Sequence, residues 1–219
     1  MNNVDARLKE DVEQELRWDP SVNAAQIGVS VHGGNVTLLG TVDSFAEKWA
    51  AERATKRVGR CRSVKQELRV KLRSEHQRED LALAAATRNV LDWDVFVPKG
   101  VTAKVKDGWV TLDGTVTWNF QREAAERAMQ HTVGVTGISN WIVLKGRAVG
   151  SQVKTKVEAA LLRQANANAV SINVTEVGGK VTLTGQASSW QAIEDATRAA
   201  WSAAGVNEVV AEVRMIMTN

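Results

Sequence analysis

The feature that most constrains the fold is a seven-residue motif, Gly-x-Val-Thr-Leu-x-Gly, that occurs three times in the 219 residues. It begins at Gly34, Gly108 and Gly179, at offsets of 108 − 34 = 74 and 179 − 34 = 145 residues. The same offsets align apolar residues elsewhere without a gap, in the sets Leu16, Val90, Leu161 and Val64, Ile138, Val209. A fixed period of this kind is the signature of a repeated structural unit. We therefore expect three copies of one domain, over residues 1–74, 75–147 and 148–219.

Each copy is predicted to begin with a helix, because apolar residues spaced by four share one helical face. These residues are Val4, Leu8, Val12 and Leu16 in the first copy, Ala82, Ala86 and Val90 in the second, and Val149, Val153, Val157 and Leu161 in the third. Alternating apolar residues then predict a strand, and pairs such as Gly33-Gly34 or Asp107-Gly108 favour a tight hairpin. The motif glycines are interpreted as structural turn residues: Gly34, Gly40, Gly108, Gly114, Gly179 and Gly185.

A second helix is expected to begin near Ser44, Trp118 or Ser189, and a last strand follows it in each copy. The predicted fold class is α+β, with three tandem α-β-β-α-β units. Each unit is a three-stranded mixed sheet with two helices on one face. The other face of each sheet is left open to solvent, to a neighbouring repeat or to a partner.

This unit, with Gly-x-Val-Thr-Leu-x-Gly at its second strand, resembles the BON domain of bacteria. The resemblance includes Gly134-Val135 and Gly205-Val206, which lead into the last strand; the first copy has Arg60-Cys61 there, which leaves open whether its chain enters that strand in the same way. It implies association with phospholipid or membrane in an envelope or stress context. It supplies no catalytic motif.

The sequence offers no enzyme-like site. His32, His76 and His131 lack Cys, His or carboxylate neighbours at metal-ligand spacing, and Cys61 is interpreted as a buried apolar residue. Neither phosphate-loop nor dinucleotide fingerprints occur. We therefore predict a protein that is not an enzyme and has no cofactor and no metal.

The eight tryptophans, with no tyrosine, are candidates for contact. By the repeat alignment, Trp109 and Trp141 are predicted on the open face of the second sheet, and Trp49 and Trp201 on outer helix faces. Such rings favour contact within the chain, contact between chains, or contact with lipid or another ligand, and the sequence leaves all three open.

Basic residues are concentrated at the end of the first copy. The candidates for binding an anionic surface are Lys56, Arg57, Arg60, Arg62, Arg69 and Lys71, within a run that also contains Lys65 and Arg73. Anionic phospholipid attracts such a run, although many runs of this kind are only solvated surfaces. Nucleic acid is the weaker interpretation, because no aromatic stacking platform accompanies the charge.

The sequence thus predicts a binding and assembly module that associates with anionic phospholipid or a membrane surface. The alternatives are a homo-oligomeric scaffold built through open sheet faces and, as a minor one, monovalent-cation sensing. If Met1 is the natural start, the expected location is cytoplasmic, since no signal peptide precedes the first helix; a periplasmic protein with its signal removed is the alternative.

Overall fold

The computed structural model describes residues 3–145, 153–164 and 171–216. The chain divides into two compact units, Met1–Asp113 with Ala125–Trp141, and Gly114–Ala124 with Ile142–Asn219. The predicted helical residue Val149 lies outside the described residues.

Repeat 1 has the predicted order of elements: α1 (Asn3–Trp18), β1 (Ile27–His32), β2 (Asn35–Val42), α2 (Phe45–Arg57) and β3 (Ser63–Val70). Strand β2 is central; it pairs antiparallel with β1 and parallel with β3. Helix α2 makes the crossover between the two parallel strands. The Ser44 hydroxyl caps this helix by accepting from the Glu47 N–H at 3.1 Å.

Repeats 2 and 3 have the same topology. Repeat 2 contains α3 (Asp80–Trp93), β4 (Thr102–Lys106), β5 (Trp109–Asp113), β6 (Thr115–Val116), α4 (Asn119–Gln130), β7 (Gly137–Asn140) and β8 (Val143–Leu144). Repeat 3 contains α5 (Val153–Gln164), β9 (Ser171–Val177), β10 (Lys180–Ala187), α6 (Trp190–Trp201) and β11 (Glu208–Met215). In repeat 2 the second and third strands are each interrupted, giving a three-stranded sheet β4-β5-β7 and a two-stranded sheet β6-β8. The α+β class and the repeated unit are confirmed.

The core of each repeat lies between the helices and one face of the sheet. The Val and Leu of the motif are fully buried in all three copies, at Val36, Leu38, Val110, Leu112, Val181 and Leu183. In repeat 1, Leu8, Val12 and Leu16 of α1 are buried as well, whereas Val4 is exposed. Burying such side chains supplies the main stabilising free energy.

The predicted buried face of α3 is wrong by one residue. Leu83, Thr87 and Leu91 are buried, whereas Ala82 is exposed and Val90 only half-buried. Repeat 2 is one residue shorter than repeat 1 between its first helix and its hairpin. The gapless alignment therefore does not hold in this helix.

An acidic residue of the first helix holds the hairpin turn in repeats 1 and 2. The Asp5 carboxylate accepts from the N–H groups of Gly33 and Gly34 at 2.9 and 3.0 Å. Those two hydrogen bonds lower the pKa of Asp5. Asp80 accepts in the same way from Asp107 and Gly108, at 2.7 and 2.9 Å. These hydrogen bonds connect the first turn of the helix to the hairpin turn between the first two strands.

The two glycines of the motif have different structural roles. Gly34, Gly108 and Gly179 are turn residues, as predicted, with φ of 80°, 75° and 85°. Gly40 and Gly185 lie inside β2 and β10, and Gly114 lies between β5 and β6, so the prediction that they are turn residues is wrong. A Cβ at Gly40 would lie 2.0 Å from the Gln26 carbonyl oxygen, and one at Gly185 would lie 2.1 Å from that of Ser171. In repeats 1 and 3 the second glycine is therefore required by close approach of the preceding chain.

Arg60 adopts the same backbone region as the glycines at its equivalent positions. Its φ is 71°, compared with 103° at Gly134 and 93° at Gly205. The next residue, Cys61, is fully buried like Val135. The first repeat thus enters its last strand in the same way as the other two, and its Arg60 carries backbone strain that glycine avoids.

Candidate functional site

The open face of the repeat 2 sheet carries both tryptophans that the alternation places there. Trp109 is 48% exposed and Trp141 is 69% exposed. The neighbouring Asn140 faces the opposite side, where its amide donates to Glu126 of α4 at 3.0 Å. Because consecutive strand residues alternate between faces, Ser139 and Trp141 point away from the helices.

The Trp109 ring lies flat across the adjacent strand. Trp109 pairs with Gly137, and a Cβ at that glycine would lie 2.3 to 2.7 Å from three ring atoms. The indole Nε1 donates to the Ser139 hydroxyl at 2.9 Å. Gly137 therefore provides the space for the ring, and Ser139 holds the indole in a fixed orientation.

Two lysines of β4 complete this face. Lys106 pairs with Trp109, and Lys104 pairs with Thr111; both lysines are exposed. Neither forms an ion pair with any of the residues that the structure describes.

The open faces of the other two repeats have a different charge pattern. In repeat 1, Lys65 pairs with Glu67 at 2.6 Å. In repeat 3, Lys180 pairs with Glu208 at 2.8 Å. The repeat 2 face, defined by Lys104, Lys106, Trp109 and Trp141, is thus cationic and aromatic, and we call it the repeat 2 open face.

A second exposed apolar group lies at one end of this sheet and was missed by the sequence reasoning. Trp93 is 86% exposed, Val95 89% and Phe96 58%. The segment that contains them leads into β4 at Thr102, which pairs with Asp113. Trp141 lies at that same end, since its N–H donates to the Leu112 carbonyl at 2.9 Å. The signal for this group was a dense apolar run, Trp93 to Val97, in a segment between elements.

The two helix tryptophans are less available than predicted. Trp49 is 38% exposed, and the Arg53 guanidinium lies 5.7 Å from its ring centroid. Trp201 is half-buried and packs against the core of repeat 3. The prediction of an outer helix face is therefore wrong for Trp201, because its ring packs against the core cluster of repeat 3.

The structure does not gather the basic run of repeat 1 into one cationic patch. Lys56 pairs with Glu52 at 2.8 Å, and Arg57 pairs with Glu15 and Asp19, both at 2.9 Å. Arg73 pairs with Asp43, and Lys65 is paired as described above.

The remaining basic residues of the run are divided between the two ends of β3. Arg69 pairs with Thr41 in the sheet register, Arg60 and Arg62 lie before β3, and Lys71 follows it. The net attraction of this run is accordingly smaller than its residue count implies.

The Asp19 carboxylate is strongly stabilised in its charged form. Hydrogen bonds from the Ser21 hydroxyl and then from Arg57 lower its pKa to about 2. The same contacts raise the pKa of Arg57. This network joins α1 to α2 through Arg57.

Residues 3–145, 153–164 and 171–216 contain neither a metal-binding cluster of acidic, His and Cys side chains nor a membrane-spanning helix. In that part of the chain no group of three or more His, Cys, Asp or Glu is placed to hold a metal ion. No helix there is both long and apolar enough to cross a bilayer. That the protein is not an enzyme remains a prediction.

A family model for the BON domain matches residues 4–71, 79–146 and 150–217. The chain belongs to the BON domain family. The three BON matches cover most of its length and coincide with the three structural repeats.

Two further kinds of relative are similar to this BON protein. An uncharacterized protein in the gshII 5′ region of Anaplasma centrale is 29% identical over 122 residues, which are 52% of this chain and 81% of that protein. CdsD, a structural protein of the type III secretion system of Chlamydia trachomatis, is 16% identical, with a TM-score of 0.28 over 97% of this chain and 94% of its own. A structure of the CdsD C-terminal domain has 16% identity and a TM-score of 0.27 over 100% of both chains. Scores this low carry no argument about arrangement or function.

Proposed function

We propose that this protein is a non-catalytic binding module that docks on anionic phospholipid membranes through the repeat 2 open face. The observation that carries the proposal is the combination on one sheet face of two exposed indoles and two lysines without acidic partners among the described residues. Membership of the BON domain family is consistent with a binding role.

The indoles and the lysines supply complementary contributions. Indoles are favoured at the membrane–water interface, where the ring contacts acyl chains and the N–H stays near polar groups. Trp109 is held by Ser139, so little side-chain entropy is lost when it docks. Each lysine near an anionic surface contributes about 1 kcal/mol.

The exposed group Trp93, Val95 and Phe96 extends the apolar contact at the end of the sheet where Trp141 lies. Val95 and Trp93 are the most exposed large apolar side chains among the described residues of repeat 2, and Phe96 is exposed beside them. Exposed apolar groups of this kind mark interaction surfaces. In the proposed pose they enter the headgroup region beside Trp141.

Co-sedimentation with vesicles tests the proposal. The full chain is mixed with vesicles of phosphatidylcholine alone or with 30% phosphatidylglycerol, and the bound fraction is measured against lipid concentration. Binding to the anionic vesicles is expected. The double variant Lys104→Gln/Lys106→Gln should bind them about thirtyfold more weakly, from about 2 kcal/mol of lost attraction.

Matched controls are available within the chain. Trp109→Ala/Trp141→Ala should reduce binding, whereas Trp18→Ala should not, although Trp18 is 84% exposed. If the native chain, Trp109→Ala/Trp141→Ala and Trp18→Ala all bind the anionic vesicles equally well, the assignment to the repeat 2 open face is refuted. Light scattering without lipid addresses self-association: a mass above the monomer value of 23.8 kDa that Trp109→Ala/Trp141→Ala restores to monomer would assign the face to contact between copies instead.

A further inference from the structure

A small cleft in the first compact unit lies apart from the repeat 2 open face. It has a volume of about 190 Å³. One wall is the start of α2 at Ser44, Phe45 and Ala46, and the opposite wall is the end of α4 and the segment after it, residues 130–135. Leu72 and His76, from the segment between β3 and α3, also line it. Residues from two repeats therefore form one concave surface within this unit.

Gln130 is the buried polar side chain of this cleft. It lines the cleft, is only 5% exposed, and its side-chain amide forms no hydrogen bond with any residue that the structure describes. The amide atoms are not among the fully buried atoms that lack a partner, so they are open to the cleft and available to a molecule bound there. At the equivalent positions the other repeats have Lys56, which is half-buried and pairs with Glu52, and the core-packed Trp201.

The other polar groups of the cleft are mainly donors. The N–H groups of Phe45 and Ala46 belong to the first turn of a 13-residue helix, where they have no intrahelical acceptor and the helix dipole favours negative charge. The imidazoles of His76 and His131 supply further N–H groups.

The charges around the cleft also favour an anion. No carboxylate lines it. The nearest acid on α2, Glu47, is occupied by the N–H groups of Asn23 and Asp43 at 2.7 and 2.8 Å. The Cβ of Arg78 lies 3.2 Å from the position of a Cβ at Gly134, so a cationic residue adjoins the cleft wall.

The remaining lining is apolar and comes from Phe45, Leu72, Val133 and Val135. We propose that the cleft binds a small organic carboxylate, with the anionic group at Gln130 and the α2 N-terminus and the apolar body against these side chains. The volume suits a ligand of roughly ten non-hydrogen atoms, well below the size of drug-like ligands. This site is independent of the membrane surface proposed above.

A titration of the ¹⁵N-labelled full chain tests the site, with benzoate as the probe. Benzoate should shift the amide signals of Phe45, Ala46 and residues 131–135, and benzyl alcohol, its uncharged analogue, should bind at least about tenfold more weakly. Gln130→Glu keeps the side-chain shape but replaces the amide donors with a repelling carboxylate, so it should abolish the shifts. His32→Ala is the matched control, because His32 does not line the cleft, and it should leave the affinity unchanged.

Each alternative has a distinct outcome. Absence of benzoate shifts would mean that only water occupies the cleft and would overturn the proposal. Inorganic phosphate binding as tightly as benzoate would overturn the organic class of ligand. Binding of Zn²⁺ that His76→Ala and His131→Ala remove, with no benzoate binding, would assign the cleft to a metal ion instead.

Discussion

The second glycine of the motif gives the sharpest test of how the repeat is built. Gly40 has φ of 123°, in a region nearly restricted to glycine, and a Cβ there would lie 2.0 Å from the Gln26 carbonyl oxygen. Side-chain carbons do not approach a backbone oxygen closer than about 3.0 Å, so in Gly40→Ala the chain must separate by about 1 Å. This separation disrupts the pairing of Ile27 with Gly40 at the end of the hairpin.

The expected cost can be worked out from these two effects. Forcing alanine into this backbone region costs of order 1–3 kcal/mol, and loss of one or two strand hydrogen bonds adds about 0.5–1.5 kcal/mol each. A total of about 4 kcal/mol is a large part of the stability of a domain of this size. This free energy corresponds to a roughly thousandfold faster hydrogen exchange of the affected backbone amides.

Hydrogen exchange measured by mass spectrometry is the appropriate assay, because it reports each repeat separately. In Gly40→Ala, peptides covering 27–42 should lose protection while those covering 171–187 keep it; Gly185→Ala should do the reverse. Gly33→Ala is the control, since its φ is 56° and a Cβ there meets nothing within 4 Å; it should cost only about 1 kcal/mol. If Gly40→Ala keeps its protection within tenfold of the native chain, the close-approach explanation is wrong.

Three further predictions concern the backbone of Arg60, the buried face of α3 and the carboxylate of Asp19. Arg60→Gly should stabilise repeat 1 by about 1 kcal/mol in denaturant unfolding, by relieving a left-handed φ; a lower midpoint would contradict this. Leu83→Ala should destabilise repeat 2 by about 2–5 kcal/mol, whereas Ala82→Asp should change its thermal unfolding by less than about 0.5 kcal/mol; the opposite ranking would restore the gapless register. The pKa of Asp19, lowered to about 2 by hydrogen bonds to its carboxylate, contributes stability that is present above about pH 4 and lost as pH falls towards 2. Asp19→Asn should therefore flatten the acid limb of the repeat 1 stability curve, and an unchanged limb would count against this.

The fold could be predicted because three copies of one pattern reinforce one another. Strand alternation placed Trp109 and Trp141 on the open face, where the structure has them. The error in α3 arose from small residues, Ala82 and Ala86, that fit either register. A signal for the missing residue was present: Trp18-Asp19 and Trp93-Asp94 are related by 93 − 18 = 75 residues rather than 74.

The candidate site was predictable only in part, because ion pairs depend on tertiary contacts. Arg57 and Glu15 are 42 residues apart, so nothing local shows that the charge of Arg57 is compensated. The lysines of β4 were overlooked for the converse reason, since their importance comes from forming no ion pair with the described residues. Trp201 was predicted to point outward, but it packs on the core. Its equivalent in repeat 2, Gln130, is also buried.

The central claim is that one of three similar sheet faces meets the membrane, and the motif threonine offers a direct test. Thr37, Thr111 and Thr182 occupy the same central-strand position with the same intermediate exposure, and the native Cys61 is buried, so a cysteine placed at each can be labelled selectively with an environment-sensitive fluorophore. On vesicles with 30% phosphatidylglycerol, the fluorescence emission of the label at Thr111→Cys should shift to shorter wavelength. The emission of labels at Thr37→Cys and Thr182→Cys should remain the same as in buffer. Equal shifts at all three positions, or none at position 111, would contradict the account.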